Sequence, residues 1–210
     1  ITYQNVSDAP ATLARSVTFV LNDGSGGTSN PVNKTINVTA VNDAPIGTSN
    51  IVSTLKNTDF IFAAAHFGFT DPLDNPSNTL LAVKITTLPA AGTLKLSGVA
   101  VTSGQVISIA NINASNLRFT PAVNATGAPY TSFTFQVQDD GGTASGGIDL
   151  DVTPRTMSIN VQSGNVAPVL SGASNLNSIN EDPISNAGTL ISTLIDGQII
   201  DPDAGALSGI

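Results

Sequence analysis

Part of this sequence is written twice. Ser16-Val17-Thr18-Phe19-Val20-Leu21, Asn22-Asp23-Gly24 and Thr35-Ile36-Asn37-Val38 lead into Val41-Asn42-Asp43-Ala44-Pro45. About 120 residues later, Ser132-Phe133-Thr134-Phe135-Gln136-Val137, Asp139-Asp140-Gly141-Gly142 and Met157-Ser158-Ile159-Asn160-Val161 lead into Asn165-Val166-Ala167-Pro168. Each copy reads as strand, Asp-Gly turn, strand and linker, and one hairpin recurring at that distance means tandem domains rather than one enlarged core. A second motif follows each linker: Phe69-Thr70-Asp71-Pro72-Leu73-Asp74 after the first, Ile200-Asp201-Pro202-Asp203 after the second. The predicted organisation is the tail of a preceding repeat (1–45), a complete repeat (46–168) and the head of a following one (169–210). Ile1 falls within a strand-like pattern and the sole methionine is Met157, so the chain reads as a window on a longer polypeptide.

Within the complete repeat the apolar residues alternate with period two over short runs rich in β-branched side chains. The runs are 81–86, 93–96, 105–109, 117–119, 133–137, 148–152 and 157–161, separated by Gly, Pro and Asn turns. Seven such strands in a domain of this size predict an all-β fold, an antiparallel Ig-like sandwich with Greek-key connections. The period is too long for a propeller or a β-helix. One helical turn is expected at 111–116, and 58–65 is ambiguous. Composition agrees: 19 Gly, 12 Pro and a single glutamate, Glu181, are foreign to helical bundles, and no apolar stretch is long enough to predict a membrane span. The chain has no cysteine, which excludes a disulfide-stapled scaffold.

Seven basic against fifteen acidic residues give a net charge of -8, and the basic ones are scattered singly from Arg15 to Arg155. Nucleic acid and anionic membranes need concentrated Lys and Arg, so neither is an expected partner. A hard cation is. Nearly all the acidic residues are Asp, many in turns where short carboxylates can converge on an ion that takes oxygen ligands. The competing reading is that Asp in a turn serves backbone hydrogen bonding. Asp23, Asp139 and Asp140 are expected in Asp-Gly hairpin turns with positive φ at the glycine. Asp149 and Asp151 are expected on a solvent-facing strand, where their charge would protect an edge.

Catalysis has little footing. His66, the sole histidine, lies in Ala63-Ala64-Ala65-His66-Phe67-Gly68 with no serine or carboxylate placed for a triad. No carboxylate pair is spaced for glycoside hydrolysis, and there is no phosphate loop or zinc spacing. With no Trp and only Tyr3 and Tyr130, aromatic platforms for sugar stacking are scarce, and the eight Phe are expected in the core. Sequons such as Asn5-Val6-Ser7 and Asn37-Val38-Thr39 matter only in a eukaryotic secretory pathway.

Gly92-Thr93-Leu94-Lys95-Leu96-Ser97-Gly98, Thr102-Ser103-Gly104-Gln105-Val106, Leu117-Arg118-Phe119-Thr120-Pro121 and Phe133 through Asp139 resemble the chondroitin-sulfate-proteoglycan type of cadherin-like repeat. The flanks, Ile1 through Pro10 and Glu181-Asp182-Pro183 through Ile210, resemble cadherin-like and VCBS-type repeats of giant bacterial surface and secreted proteins. The resemblance implies a non-enzymatic stalk or fibre segment of a large extracellular bacterial adhesin or matrix protein. Its partners would be adjacent repeats or neighbouring copies, with cell-surface glycans or proteins as adhesive targets. Alternatives are a self-assembling filament subunit exchanging strands between copies, a carbohydrate- or protein-binding adhesive module, and scaffolding in a secreted hydrolase.

The same resemblance implies calcium clamped at the repeat junctions. Asn42, Asp43, Asp71 and Asp74 stand at the matching places of the first junction, and Glu181, Asp182, Asp201 and Asp203 at the second. The match is incomplete, because the acidic linker is reduced to Val41-Asn42-Asp43, Asp71 and Asp74 are separated by two residues rather than one, and Ser163-Gly164-Asn165 carries no carboxylate.

Overall fold

The structure is a computed structural model that describes residues 3–176, 178, 181 and 190–203. The chain divides into two compact units, Ile1–Gln162 and Ser163–Ile210.

In the first unit, β1 (Arg15–Phe19) and β2 (Val32–Ile36) form a two-stranded antiparallel hairpin. Its turn follows the sequence expectation: Gly24 has φ +77°, and the Asp23 carboxylate accepts the N–H groups of Ser25 and Gly27. The rest is an all-β sandwich. In chain order it contains β3 (Asn50–Leu55), β4 (Phe60–Ile61), a 3-10 turn (Ala64–Phe67), β5 (Leu80–Ile85), β6 (Thr93–Leu96), β7 (Val99–Ala100), β8 (Val106–Ser108), α1 (Ile109–Asn113), β9 (Leu117–Thr120), β10 (Gly127–Asp139) and β11 (Arg155–Gln162). One sheet runs β3-β11-β10-β5-β8 and the other β4-β9-β6-β7, so spatial neighbours come from distant parts of the chain. Every pairing is antiparallel except β3 with β11.

Strand β10 shows how the alternation builds the core. Phe133, Phe135 and Val137 face inward and are fully buried, while Ser132, Thr134, Gln136 and Gln138 lie on the other face. The opposing side is filled by Leu94, Leu117 and Phe119, with Phe62 packed edge-on to Phe133 and Phe67 edge-on to Phe135 at 5.6 and 5.0 Å between centroids. Each such ring removes enough apolar surface from water to contribute about 1.5–3 kcal/mol. Of the eight Phe, five are fully buried, Phe60 and Phe69 are partly so, and Phe19 is exposed on the hairpin.

Two expectations are overturned. Residues 148–152 form no strand; they make a single bridge, Gln138 to Leu150, within the long connection from β10 to β11. Asp151 does not face solvent either: it is 1% exposed, with Arg155 Nε at 2.9 Å, Arg155 Nη2 at 3.2 Å, and the N–H groups of Gly47 and Thr153 at 2.8 and 2.9 Å. Alternation placed it on a surface, but four donors make burial of the charge tolerable. Strands β3, β4 and β7 carried too little pattern to be predicted.

The second unit pairs β12 (Val169–Leu170) with β13 (Ile199–Ile200) antiparallel, with α2 (Ile191–Ile195) between them in the chain. Its Val169↔Ile200 pairing repeats a bridge of the first unit, Ile46↔Thr70, at the matching position after each linker proline. No helix among the described residues is long and apolar enough to cross a membrane.

Candidate functional site

The first linker is stitched to the sandwich through Asn42. Its carbonyl accepts Ile148 N–H at 2.9 Å, and its amide donates to the Ile148 carbonyl at 2.8 Å and to Asp139 Oδ1 at 3.0 Å. The next residue, Asp43, donates its backbone N–H to Asp74 Oδ2 at 3.0 Å. Asp71 Oδ2 accepts Asn78 N–H at 2.6 Å, closing the 71–78 loop. That loop is fastened to the end of β10 by Asp140, whose two oxygens accept Thr79 N–H and the Thr79 hydroxyl, each at 2.7 Å. Four residues named from the sequence, Asn42, Asp43, Asp71 and Asp74, therefore meet at one end of the sandwich.

Sequence reasoning missed three further members. Asp139 was expected in a hairpin turn, but it is the last residue of β10 and wholly buried, accepting Gly141 N–H at 2.8 Å. Positive φ falls at Gly142 and not at Gly141. The signal was present: 133, 135, 137 and 139 continue one inward row, so the alternation itself points a carboxylate inward. Asn78 bridges the loop to the linker through contact of its amide with Asn42 Oδ1. Asp8 helps to line a cleft of about 230 Å³ together with Asn42, Asp74, Asn78 and Gly141. Gly141 is part of the cradle, since a Cβ there would collide with the Asn42 and Asn78 amides.

The electrostatics are one-sided. Burial raises the carboxyl of Asp43 above its ordinary value, and the charges of Asp74, Asp8 and Asp71 raise it further. Burial also raises Asp139; the Gly141 N–H and the Asn42 amide oppose this, while Asp71 and Asp149 add to it. The one ion pair among the described residues, Arg155 with Asp151, is not a member of the group. Asp71 Oδ1 and Asp139 Oδ2 are buried with no hydrogen-bond partner. Such atoms are costly unless something positive faces them.

Those two orphaned oxygens are the part of the residue set that suits a hard cation such as calcium. Among the described residues no three His, Cys, Asp or Glu side chains converge at metal-ligand spacing. The amide N–H groups of Asn42 and Asn78 stand between the carboxylates and supply the positive ends of dipoles there. Calcium takes about six to eight oxygens from carboxylates, amides and backbone carbonyls together, and Asn42 Oδ1, now engaged by the Asn78 amide, would have to turn to join such a set.

The second unit holds part of the same arrangement. Val166, two positions before its linker proline as Asp43 is before Pro45, donates its N–H to Asp203 Oδ2 at 2.6 Å. Asp203 N–H donates to Asp201 Oδ1 at 2.9 Å, and both residues are half-buried. Glu181 is exposed, and Asp182 lies outside the described residues.

No family model matches the chain. It is 30% identical over 183 residues to the integrin beta-like protein E of Dictyostelium discoideum, a match that takes in 86% of this chain. The chain spans about 8% of that relative's length.

Proposed function

We infer that this chain is a non-catalytic structural segment of tandem β-sandwich repeats in a large extracellular protein, a stalk or fibre element whose first repeat junction is stiffened by calcium. The observation that carries this reading is the recurrence of one kind of bond: the residue two before each linker proline, Asp43 or Val166, donates its N–H to a carboxylate of the following Asp-Pro segment, Asp74 or Asp203. A contact that ties linker to loop in successive repeats is what a serial structure needs if its modules are not to swivel freely. The similarity to a stretch of an integrin beta-like protein supports a setting in a large extracellular molecule of adhesive type.

Asn42 and Asp43 hold the linker, Asp71 and Asp74 hold the loop, and Asp139 closes the group from the core side. Calcium, when bound, supplies the positive charge that lets these oxygens sit together. Asp8, from the segment before the linker, faces the same cleft, so a shared ion would couple that segment to the sandwich. The test is a calcium titration of the 210-residue chain, followed by thermal melting and small-angle scattering before and after chelation. The reading expects a higher melting temperature and a narrower distribution of shapes with calcium. Identical melting and scattering with and without chelator would remove the ion from the proposal.

A further inference from the structure

We propose that β3 is a self-pairing edge, through which two copies of this chain join their five-stranded sheets antiparallel about a two-fold axis at Ser53. Strand β3 lies at the end of its sheet, paired on one side with β11. Leu55 is opposite Gln162 in that parallel register, and Lys56 N–H donates to the Gln162 carbonyl at 2.8 Å. Backbone groups alternate sides along a strand, so Asn50, Val52 and Thr54 aim theirs at β11, and Ile51, Ser53 and Leu55 aim theirs outward.

Two of those outward groups are already occupied within the chain. The Ile51 N–H donates to Asn50 Oδ1 at 2.8 Å, and the Leu55 carbonyl accepts Thr58 N–H at 3.1 Å. Among the described residues, the Ile51 carbonyl, both groups of Ser53 and the Leu55 N–H are left without a partner. Across a two-fold axis at Ser53 this set completes itself. Ser53 exchanges two bonds with Ser53 of the second copy, and each Leu55 N–H meets the other copy's Ile51 carbonyl. The two occupied groups, Ile51 N–H and Leu55 carbonyl, fall opposite each other and need nothing.

Side chains follow the same symmetry. Ile51 and Leu55 are 66% and 47% exposed on the outer face, and the register sets each beside the other copy's counterpart, with Val52 next to Thr54. Natural sheets protect such edges with charge, proline or a bulge, and β3 has none of them between Asn50 and Leu55. The occupant is a second copy because the free groups of this edge match their own rotated image, which an arbitrary strand does not.

The experiment uses the 210-residue chain with the probe at the axis. Ser53→Cys introduces the only thiol, and Ser108→Cys places one on β8, the opposite edge of the same sheet, as the control. With a short thiol-to-thiol cross-linker, Ser53→Cys is expected to form covalent dimer at least tenfold faster than Ser108→Cys. Amide exchange in the unmodified chain should slow at Ser53 and Leu55 as concentration rises and stay constant at Val106. Ser53→Lys, which sets two like charges at the axis, should abolish that concentration dependence with an unchanged melting curve. Equal cross-linking at the two edges, with exchange at Ser53 and Leu55 independent of concentration, would overturn the proposal. So would protection of those amides by an added unrelated β-strand peptide but not by a second copy.

Discussion

The backbone N–H of Asp43 donates to the carboxylate of Asp74 at 3.0 Å, joining residues 31 positions apart, one in a linker and one in a loop of the following sandwich. The bond fixes where the linker enters the domain. The Asp43 side chain stands near the carboxylates of Asp74, Asp8 and Asp71, and burial together with those three charges raises its carboxyl above the ordinary range. Val166 and Asp203 make the same bond at 2.6 Å in the second unit. The bond recurs but the crowding of charge does not, since Val166 carries no carboxylate, and it is the first junction alone that needs something to offset its negative charge.

Asp139→Asn separates charge from shape at this site. Without calcium the substitution removes a buried carboxylate with an orphaned oxygen, so the melting temperature should stay level or rise. With calcium at a hundredfold excess over its dissociation constant, the parent chain should gain about 2.7 kcal/mol by mass action, and the variant should lose most of that gain. Calorimetry in chelator and in calcium measures both. A variant that responds to calcium like the parent would show that Asp139 is no part of the site.

Gly141→Ala tests the cradle. Its Cβ would enter the space of the Asn42 and Asn78 amides, displacing linker and loop from each other while the buried Phe rings stay in place. The expected result is a loss of calcium response with a drop of about 1–2 kcal/mol in stability, within the range for overpacking. Gly141 has no positive φ, so the cost is steric and not backbone strain.

Arg155→Ala should destabilise the chain by roughly 2–3 kcal/mol, less than the about 3–5 kcal/mol for breaking a fully buried pair, because Arg155 itself is 27% exposed. The pH dependence has a definite sign. Burial pushes Asp151 up, but the Arg155 guanidinium, the Gly47 and Thr153 N–H groups and the Arg155 charge outweigh it, so its carboxyl is held below the ordinary value of 3.8. A carboxylate lowered by folding contributes stability that is present above its unfolded value and lost as pH falls toward its folded one. Stability should therefore fall as pH drops below about 3.8, and Asp151→Asn should flatten that part of the curve at the expense of stability at neutral pH.

His66 should make the chain weaker in mild acid. Its Nδ1 accepts the Ala63 N–H at 2.9 Å, its ring lies 5.2 Å from that of Phe60, and burial lowers its basicity from the ordinary 6.5. The unfolded chain then binds the proton more readily, so stability declines as pH falls through 6.5 and levels off below the folded value. His66→Asn keeps an acceptor that does not titrate. Melting temperatures from pH 8 to pH 5 should decline for the parent and less for the variant; parallel curves would sink this prediction.

Period-two alternation was enough to place β5, β6, β8, β9, β10 and β11 and to choose the residues that fill the sandwich, because burying one face of a strand constrains every second side chain. The duplicated linker and Asp-Pro motifs marked where the repeat ends lie, and it was the resemblance to cadherin-like repeats that grouped Asn42, Asp43, Asp71 and Asp74 as candidates. Alternation already turned Asp139 inward with 133, 135 and 137, but it had no means of showing that the charge is tolerated there or of burying Asp151, because that depends on donors from elsewhere in the chain. Asn42, Asn78 and Gly141 come near Asp139, and Gly47 and Arg155 near Asp151, only once the sheets are formed. The same limit applies to β3: its six residues carry a weak pattern, and which of its backbone groups stay open at the edge was decided by the register against β11 and by two local hydrogen bonds. Local periodicity determines which side chains turn inward; the non-local pairing of strands decides what each inward charge and each outward N–H will meet.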